Sequence, residues 1–422
     1  MRFSTGIYSA ALVALAAAAP ASSSTPAANP MATDPAAVYA AQATAKTESP
    51  TSHVKGKAFD RFVTIWFENT DFQSAAAEAN FDFFAKKGIT LENYFAVTHP
   101  SEPNYVAAVG GDYFGLNGDP FIAVPENVST VVDLLEDKKI SWGVYQEDMP
   151  YSGYQGFSWV NQKTGKNDYV RKHNPAVLFN SVANDADRLA KIKNLTIFQQ
   201  DLKANKLPQW MFITPNMTSD AHDAPIGTAG TWLRTFLEPL LNDKNFMQNT
   251  MVLITFDEDS TYPKQNRAFS VLLGDAIPKN LVGTTDSNFY NHYSEIATVE
   301  ANWDTHTLGR YDVGANVFSN VAKHTNDKLR SWIGTPALAD TTFNASYPGI
   351  FHSTTWAPQP VPNTLITVNG RTVLPKIRKQ WVSQQKKTMY CGQLEIPTSA
   401  NPPKGTCPRP SHIGGHSEQH HG

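Results

Sequence analysis

Four apolar runs of this chain each end in a cluster of polar and ionisable residues. Glu68-Asn69 follows Val63–Phe67, and Thr98-His99-Pro100-Ser101-Glu102-Pro103-Asn104 follows Ile89–Val97. Pro215-Asn216 and then Asp220-Ala221-His222-Asp223 follow Trp210–Thr214, and Asp257-Glu258-Asp259 follows Val252–Phe256. Glu68, Asp257 and Glu258, with the side-chain oxygen of Asn69, form an oxygen-rich set suited to one divalent cation. A cation stabilises the deprotonated form of a neighbouring hydroxyl, which makes Ser101 a candidate nucleophile. His99, His222 and His292 are groups that hold anionic oxygens or protonate a leaving group. A cation, a serine and several donors together suit nucleophilic displacement at phosphorus. Each cluster also has a plainer reading. Acidic residues after strands cap the next helix, as Asp71 or Asp259 would, and Ser-x-Pro-Asn by itself is a turn. Their shared position after successive apolar runs favours chemistry.

For the clusters to meet, the runs must be neighbouring strands. Phe62–Phe67, Ile89–Val97, Ile140–Tyr145, Trp210–Thr214, Met251–Phe256 and Ala268–Leu273 are short and rich in β-branched and aromatic residues, as buried strands are. Helical patterns lie between them: Phe72–Lys87 before Gly88, Val128–Lys138 with an apolar stripe, and Thr228–Leu241 with a late Pro239. Alternation of this kind predicts an α/β fold, a central mostly parallel sheet flanked by helices. Ligands of open α/β sheets bind beyond the carboxyl ends of the strands, where all four clusters fall. From about residue 340 the chain is Pro-rich and irregular, predicted to wrap the surface. One catalytic domain is expected over 58–385, with an irregular tail over 386–422.

Composition excludes several classes of function. Hydrophobic residues are 41% and charged residues 17% of the 422, enough for a substantial core and incompatible with wholesale disorder. Thirty-five Lys and Arg against thirty-eight Asp and Glu give a net charge of −3, with no basic footprint for a nucleic-acid partner or an anionic membrane. Met1-Arg2-Phe3, an apolar stretch over Ile7–Ala19 and then Pro20-Ala21-Ser22 describe a signal peptide over 1–19 and predict a secreted protein, extracellular or in the cell wall. No later run is long enough to span a membrane. Residues 20–57, rich in Ala, Ser, Thr and Pro, are expected to be a disordered pro-segment or linker. Asn127, Asn194 and Asn344 stand in Asn-x-Ser/Thr sequons expected to carry glycans on a secretory route, and Asn216 stands in a fourth that is not expected to. The only two cysteines, Cys391 and Cys407, are expected to pair in that oxidising compartment.

Five segments carry a family resemblance: FVTIWFENTDF (62–72), THPSEPNYVAAVGGDYFG (98–115), TPNMTSDAHD (214–223), ITFDEDSTY (254–262) and NHYSEIATVEANWDTHTLGRYD (291–312). In order, they resemble the blocks of the phosphoesterase family, which includes fungal secreted acid phosphatases, bacterial acid phosphatases and bacterial phospholipases C. The fungal acid phosphatase branch is the most similar. The resemblance implies an alkaline-phosphatase-like sandwich and hydrolysis of small phosphate monoesters through a phosphoserine on Ser101. By position it makes Glu68, Asn69, Asp257 and Glu258 metal ligands, with Asn104 and Asn216 donating to phosphate oxygens. His99, His222 and His292 stand nearby, and Asp223 orients His222. Two-zinc relatives carry Asp-His pairs where this chain has oxygen ligands only, which favours one harder cation. A phosphodiesterase or phospholipase C using the same nucleophile is the alternative, against which the short tail after residue 335 weighs. A catalytically dead wall-binding protein is the third reading, and retention of Ser101 with its four carboxylate and amide neighbours argues against it.

Overall fold

The computed structural model describes residues 31–334 and 337–396. The expected signal peptide and Cys407, and with it the Cys391–Cys407 pairing, lie outside those residues. Eight strands form the main sheet: β1 (Arg61–Phe67), β2 (Gly88–Phe95), β3 (Trp142–Gln146), β4 (Ile192–Asn194), β5 (Trp210–Thr214), β6 (Thr250–Phe256), β7 (Ser270–Leu273) and β8 (Thr284–Asn291). Their order is β8-β2-β7-β6-β1-β5-β3-β4. Every pairing is parallel except those of β7, which runs antiparallel between β2 and β6. β1, β5 and β6 are wholly or almost wholly buried, because helices cover both faces of a sheet built from crossovers.

Register sets the site. Within the sheet Phe67 is paired with Phe256 and Ile65 with both Ile254 and Ile213, so β1, β5 and β6 end at one level and release Glu68, Asp257 and Pro215 side by side. β2 lies parallel to β8 and ends at the same edge. From there the chain turns through residues 96–100 into an α-helix, Ser101–Gly110, which is buried along its whole length.

Two strands were not legible in the sequence. β8 (TTDSNFYN) is a polar edge strand, and β4 has only three residues. The Phe72–Lys87 helical pattern is in fact two helices, Phe72–Ala77 and Ala79–Ala85, broken at an extended Glu78 whose carboxylate caps the second through the amides of Asn80 and Phe81. Of the expected disordered segment, residues 34–57 are tied to the domain at several points, with Val38 and Ala41 buried. Pro35–Gln42 is a helix capped by Asp34, Glu48 donates its amide to Ala190, and Ser52 and Val54 bond to Gln209. Hydroxyl and backbone hydrogen bonds hold this segment where apolar composition gave no signal. The Pro-rich end is likewise anchored. The Tyr347 and Tyr390 hydroxyls both donate to the buried Asp112, and Val373, Ile377 and Ile396 join the core.

Candidate active site

Ser101 is the first residue of its helix and 1% exposed, and its Oγ donates to Glu68 Oε2 at 3.0 Å. The other oxygen of Glu68 accepts from the Tyr105 hydroxyl at 2.5 Å, one helical turn from Ser101. Asp257 Oδ1 accepts the backbone N–H of Asn69 at 3.0 Å, tying the ends of β1 and β6 together. Asn69 holds a positive φ of 37°, which asparagine tolerates better than most residues.

Three fully buried carboxyl groups crowd this corner. Burial and then the charges of Asp257 and Asp220 push Glu68 well above the ordinary range. Burial raises Asp220 and Asp257 as well. The Lys172 ammonium is the cation whose charge reaches all three. Asn69 Oδ1, Asp257 Oδ2, Asp220 Oδ2 and His173 Nε2 are buried with no hydrogen-bond partner. Unpaired acceptors among crowded carboxylates are what a bound cation satisfies. Glu68, His173 and His222 each bring a ligand atom within 4.8 Å of the others. The donor set therefore fits a metal ion.

Of the four expected ligands, Glu68, Asn69 and Asp257 are consistent with this corner. Glu258 has one oxygen engaged, its Oε2 meeting His99 Nδ1 at 2.5 Å. His173 and His222 bring ring nitrogens near Glu68, donors outside the expected all-oxygen set.

The remaining predicted residues divide. His222 is partly open to solvent and bonds through Nδ1 to Asp223 Oδ1 at 2.7 Å, as expected. Its backbone N–H donates to Asp220. His99 lies under Tyr262, with ring centroids 3.8 Å apart, and its Nε2 is 3.2 Å from Asp259 Oδ1, off hydrogen-bond alignment. Burial pulls the His99 imidazole down, but Asp259 and Glu258 carry it up to about 9.

Three further predicted residues have their polar atoms engaged within the protein. His292 is fully buried between the Tyr94 hydroxyl and the Asp257 carbonyl, 2.7 Å from Nε2, and burial lowers it to about 3. Its ring therefore braces the end of β6 at Asp257. Asn104 spends its amide on its own loop, accepting from Val97 and Thr98 and donating to Thr98 and Pro100. Asn216 is engaged on its own side of the loop: its Nδ2 donates to Asp148 at 2.7 Å, and its Oδ1 caps the amides of Thr218 and Ser219.

Sequence reasoning gave no role to Lys172, His173 or Asp220. Lys172 and His173 lie in a single 3-10 turn, Arg171–His173, brought over the site by a small hairpin (158–160 and 167–170) rather than by a main strand. A Lys-His pair before Asn-Pro was the available signal.

A protein-family model described as "Phosphoesterase family" matches residues 51–306. An acid phosphatase of Aspergillus fumigatus is 48% identical over 86% of this chain and 82% of its own length. A phosphate-repressible acid phosphatase of Penicillium chrysogenum is 53% identical over 76% of this chain and 78% of its own. A probable acid phosphatase of Kluyveromyces lactis is 50% identical over 80% and 79%.

Proposed function

We propose that this chain, which belongs to the phosphoesterase family and hydrolyses phosphate monoesters as an acid phosphatase, does so through Ser101 beside a metal ion, outside the cell. The observation that carries the reading is the Ser101 Oγ–Glu68 Oε2 hydrogen bond at the edge of the carboxylate and histidine cluster. Glu68, Asn69 and Asp257, with His173 beside them, would hold the ion, which would supply charge stabilisation to the serine oxygen and to the phosphoryl oxygens.

The chain's own groups account for the proton movements. Glu68 Oε2, 3.0 Å from Ser101 Oγ, takes the serine proton as the Oγ–P bond forms and the bond from phosphorus to the leaving oxygen breaks, and returns it to Oγ when water breaks the Oγ–P bond. The N-terminus of the Ser101–Gly110 helix favours the negative charge gathered there. His222, oriented by Asp223 at 2.7 Å and open to solvent, gives a proton to the departing alcohol and then takes one from the water that cleaves the phosphoserine. Lys172 contributes positive charge to the same corner.

The route out of the cell rests on the apolar N-terminal stretch over Ile7–Ala19, and phosphate scavenging is the purpose that fits. Among the sequons, Asn127 and Asn344 are exposed and suited to glycans. Asn194 caps a helix through Ile197 and donates to the Met149 carbonyl, so a glycan there would cost that cap. The test is hydrolysis of p-nitrophenyl phosphate against bis-p-nitrophenyl phosphate across the acid-to-neutral range. Monoester turnover dominant on the acid side supports the reading. Dominant diester turnover would move the chain to the phosphodiesterase alternative.

A further inference from the structure

Beside Ser101 stands an anion of the protein's own. Asp119 Oδ1 accepts the backbone N–H of Glu102, the residue next to the nucleophile, at 3.0 Å. Its Oδ2 accepts from Lys172 Nζ at 2.8 Å. These donors are an amide in the first turn of a ten-residue helix and the ammonium whose charge reaches Glu68, Asp220 and Asp257. A phosphate attached to Ser101 has the same needs, because phosphate oxygens seek helix N-terminal amides and lysine. A carboxylate and a phosphoryl group cannot both hold the one Glu102 N–H, and as neighbours beside Lys172 they repel.

The surroundings show Asp119 to be a substantial local charge. Glu102, buried and with Oε2 unpartnered, is pushed up to about 9 by burial and then by Asp119. Glu258 and Tyr262, across the mouth of the site, also feel its charge. Asp119 has room to leave. Its side chain is 27% exposed on the loop before Pro120, whereas Glu68 and Ser101 are enclosed.

We propose that Asp119 is a resident substitute for the substrate phosphate, holding the Glu102 N–H and Lys172 Nζ in the free enzyme and reclaiming them as product phosphate departs. It is a positioning residue. It sets the affinity for phosphate and the ease of release, and leaves bond-making to Ser101. The inference rests on the acid phosphatase reading given above.

Asp119→Asn keeps an oxygen for the Glu102 amide and removes the charge from Lys172. In the full chain this variant should bind inorganic phosphate at least tenfold more tightly as a competitive inhibitor, about 1.4 kcal/mol. KM for p-nitrophenyl phosphate should fall in step while kcat does not rise. Asp119→Ala should also tighten phosphate, with a lower Tm because the helix cap goes too. A phosphate affinity that is unchanged or weakened in Asp119→Asn overturns the proposal and leaves Asp119 a helix cap. Calorimetric titration with inorganic phosphate reads this without turnover. A wild type that binds phosphate but turns over no monoester would therefore sink the acid phosphatase reading while the Asp119 comparison is still decided.

Discussion

Replacing Glu295 by glutamine should make the fold less sensitive to rising pH. Glu295 lies in the helix Tyr293–Trp303 that follows β8, and its Oε1 accepts from the Tyr94 hydroxyl at 2.9 Å and Trp66 Nε1 at 3.1 Å. Burial outweighs these bonds and a contact with Thr64, and lifts the carboxyl from 4.5 to about 8. An unfolded chain releases that proton near 4.5, so between those values the folded state holds one proton more. Stability from this group is complete below about pH 4.5 and drains as pH rises through about 8. At ~1.36 kcal/mol per pH unit, the loss between about pH 5 and about pH 7.5 is roughly 3 kcal/mol. Glutamine reproduces the protonated acid, a carbonyl oxygen for Tyr94 and Trp66 and a donor in place of the O–H, so this loss should vanish. For a chain of this size, with ~2.1 cal/mol/K of unfolding entropy per residue, 3 kcal/mol is about 4 °C in Tm. The assay is differential scanning fluorimetry of wild type and Glu295→Gln across that range, with the metal ion supplied to both. Parallel Tm curves would refute the argument by showing that Glu295 is ionised in the fold. The functional consequence is that the core beneath the site favours acid, since Tyr94 and Trp66 also contact His292, which supports Asp257.

Ser101→Ala should lower kcat by at least ~1,000-fold, on the scale seen when a catalytic nucleophile is removed, with Tm retained and no phosphoprotein trapped on acid quench; residual turnover near wild type would exclude Ser101 as nucleophile. Chelation should lower activity and Tm together, by ~2.7 kcal/mol relative to protein held at a hundredfold excess over Kd, and Asp257→Asn should blunt the chelator's effect; scanning fluorimetry with metal re-addition reads both. Asn216→Gln should leave KM for p-nitrophenyl phosphate within about twofold while costing ~1 kcal/mol of stability through the lost turn cap; a tenfold rise in KM would restore it to the phosphate site.

By itself the sequence determined what is local. Runs such as Val63–Phe67 and Val252–Phe256 are buried strands because their β-branched and aromatic residues suit a sheet covered on both faces, and their ends carry Glu68 and Asp257 because polar residues must follow where the sheet stops. Ser101 and the His222–Asp223 pair were legible in the same way. Only the tertiary structure decided which ends meet and what each side chain then touches. Spacing gave His292, Asn104 and Asn216 the same standing as Ser101, yet register and packing turned one into a buried prop, one into a loop clasp and one toward Asp148. Lys172, His173 and Asp119 went the other way. They come from a 3-10 turn and a loop with no periodic signal, and reach the surroundings of Ser101 because the chain crosses back over the carboxyl edge of the sheet. A side chain's role depends on which buried donors and charges surround it, and those partners lie tens to hundreds of residues away along the chain.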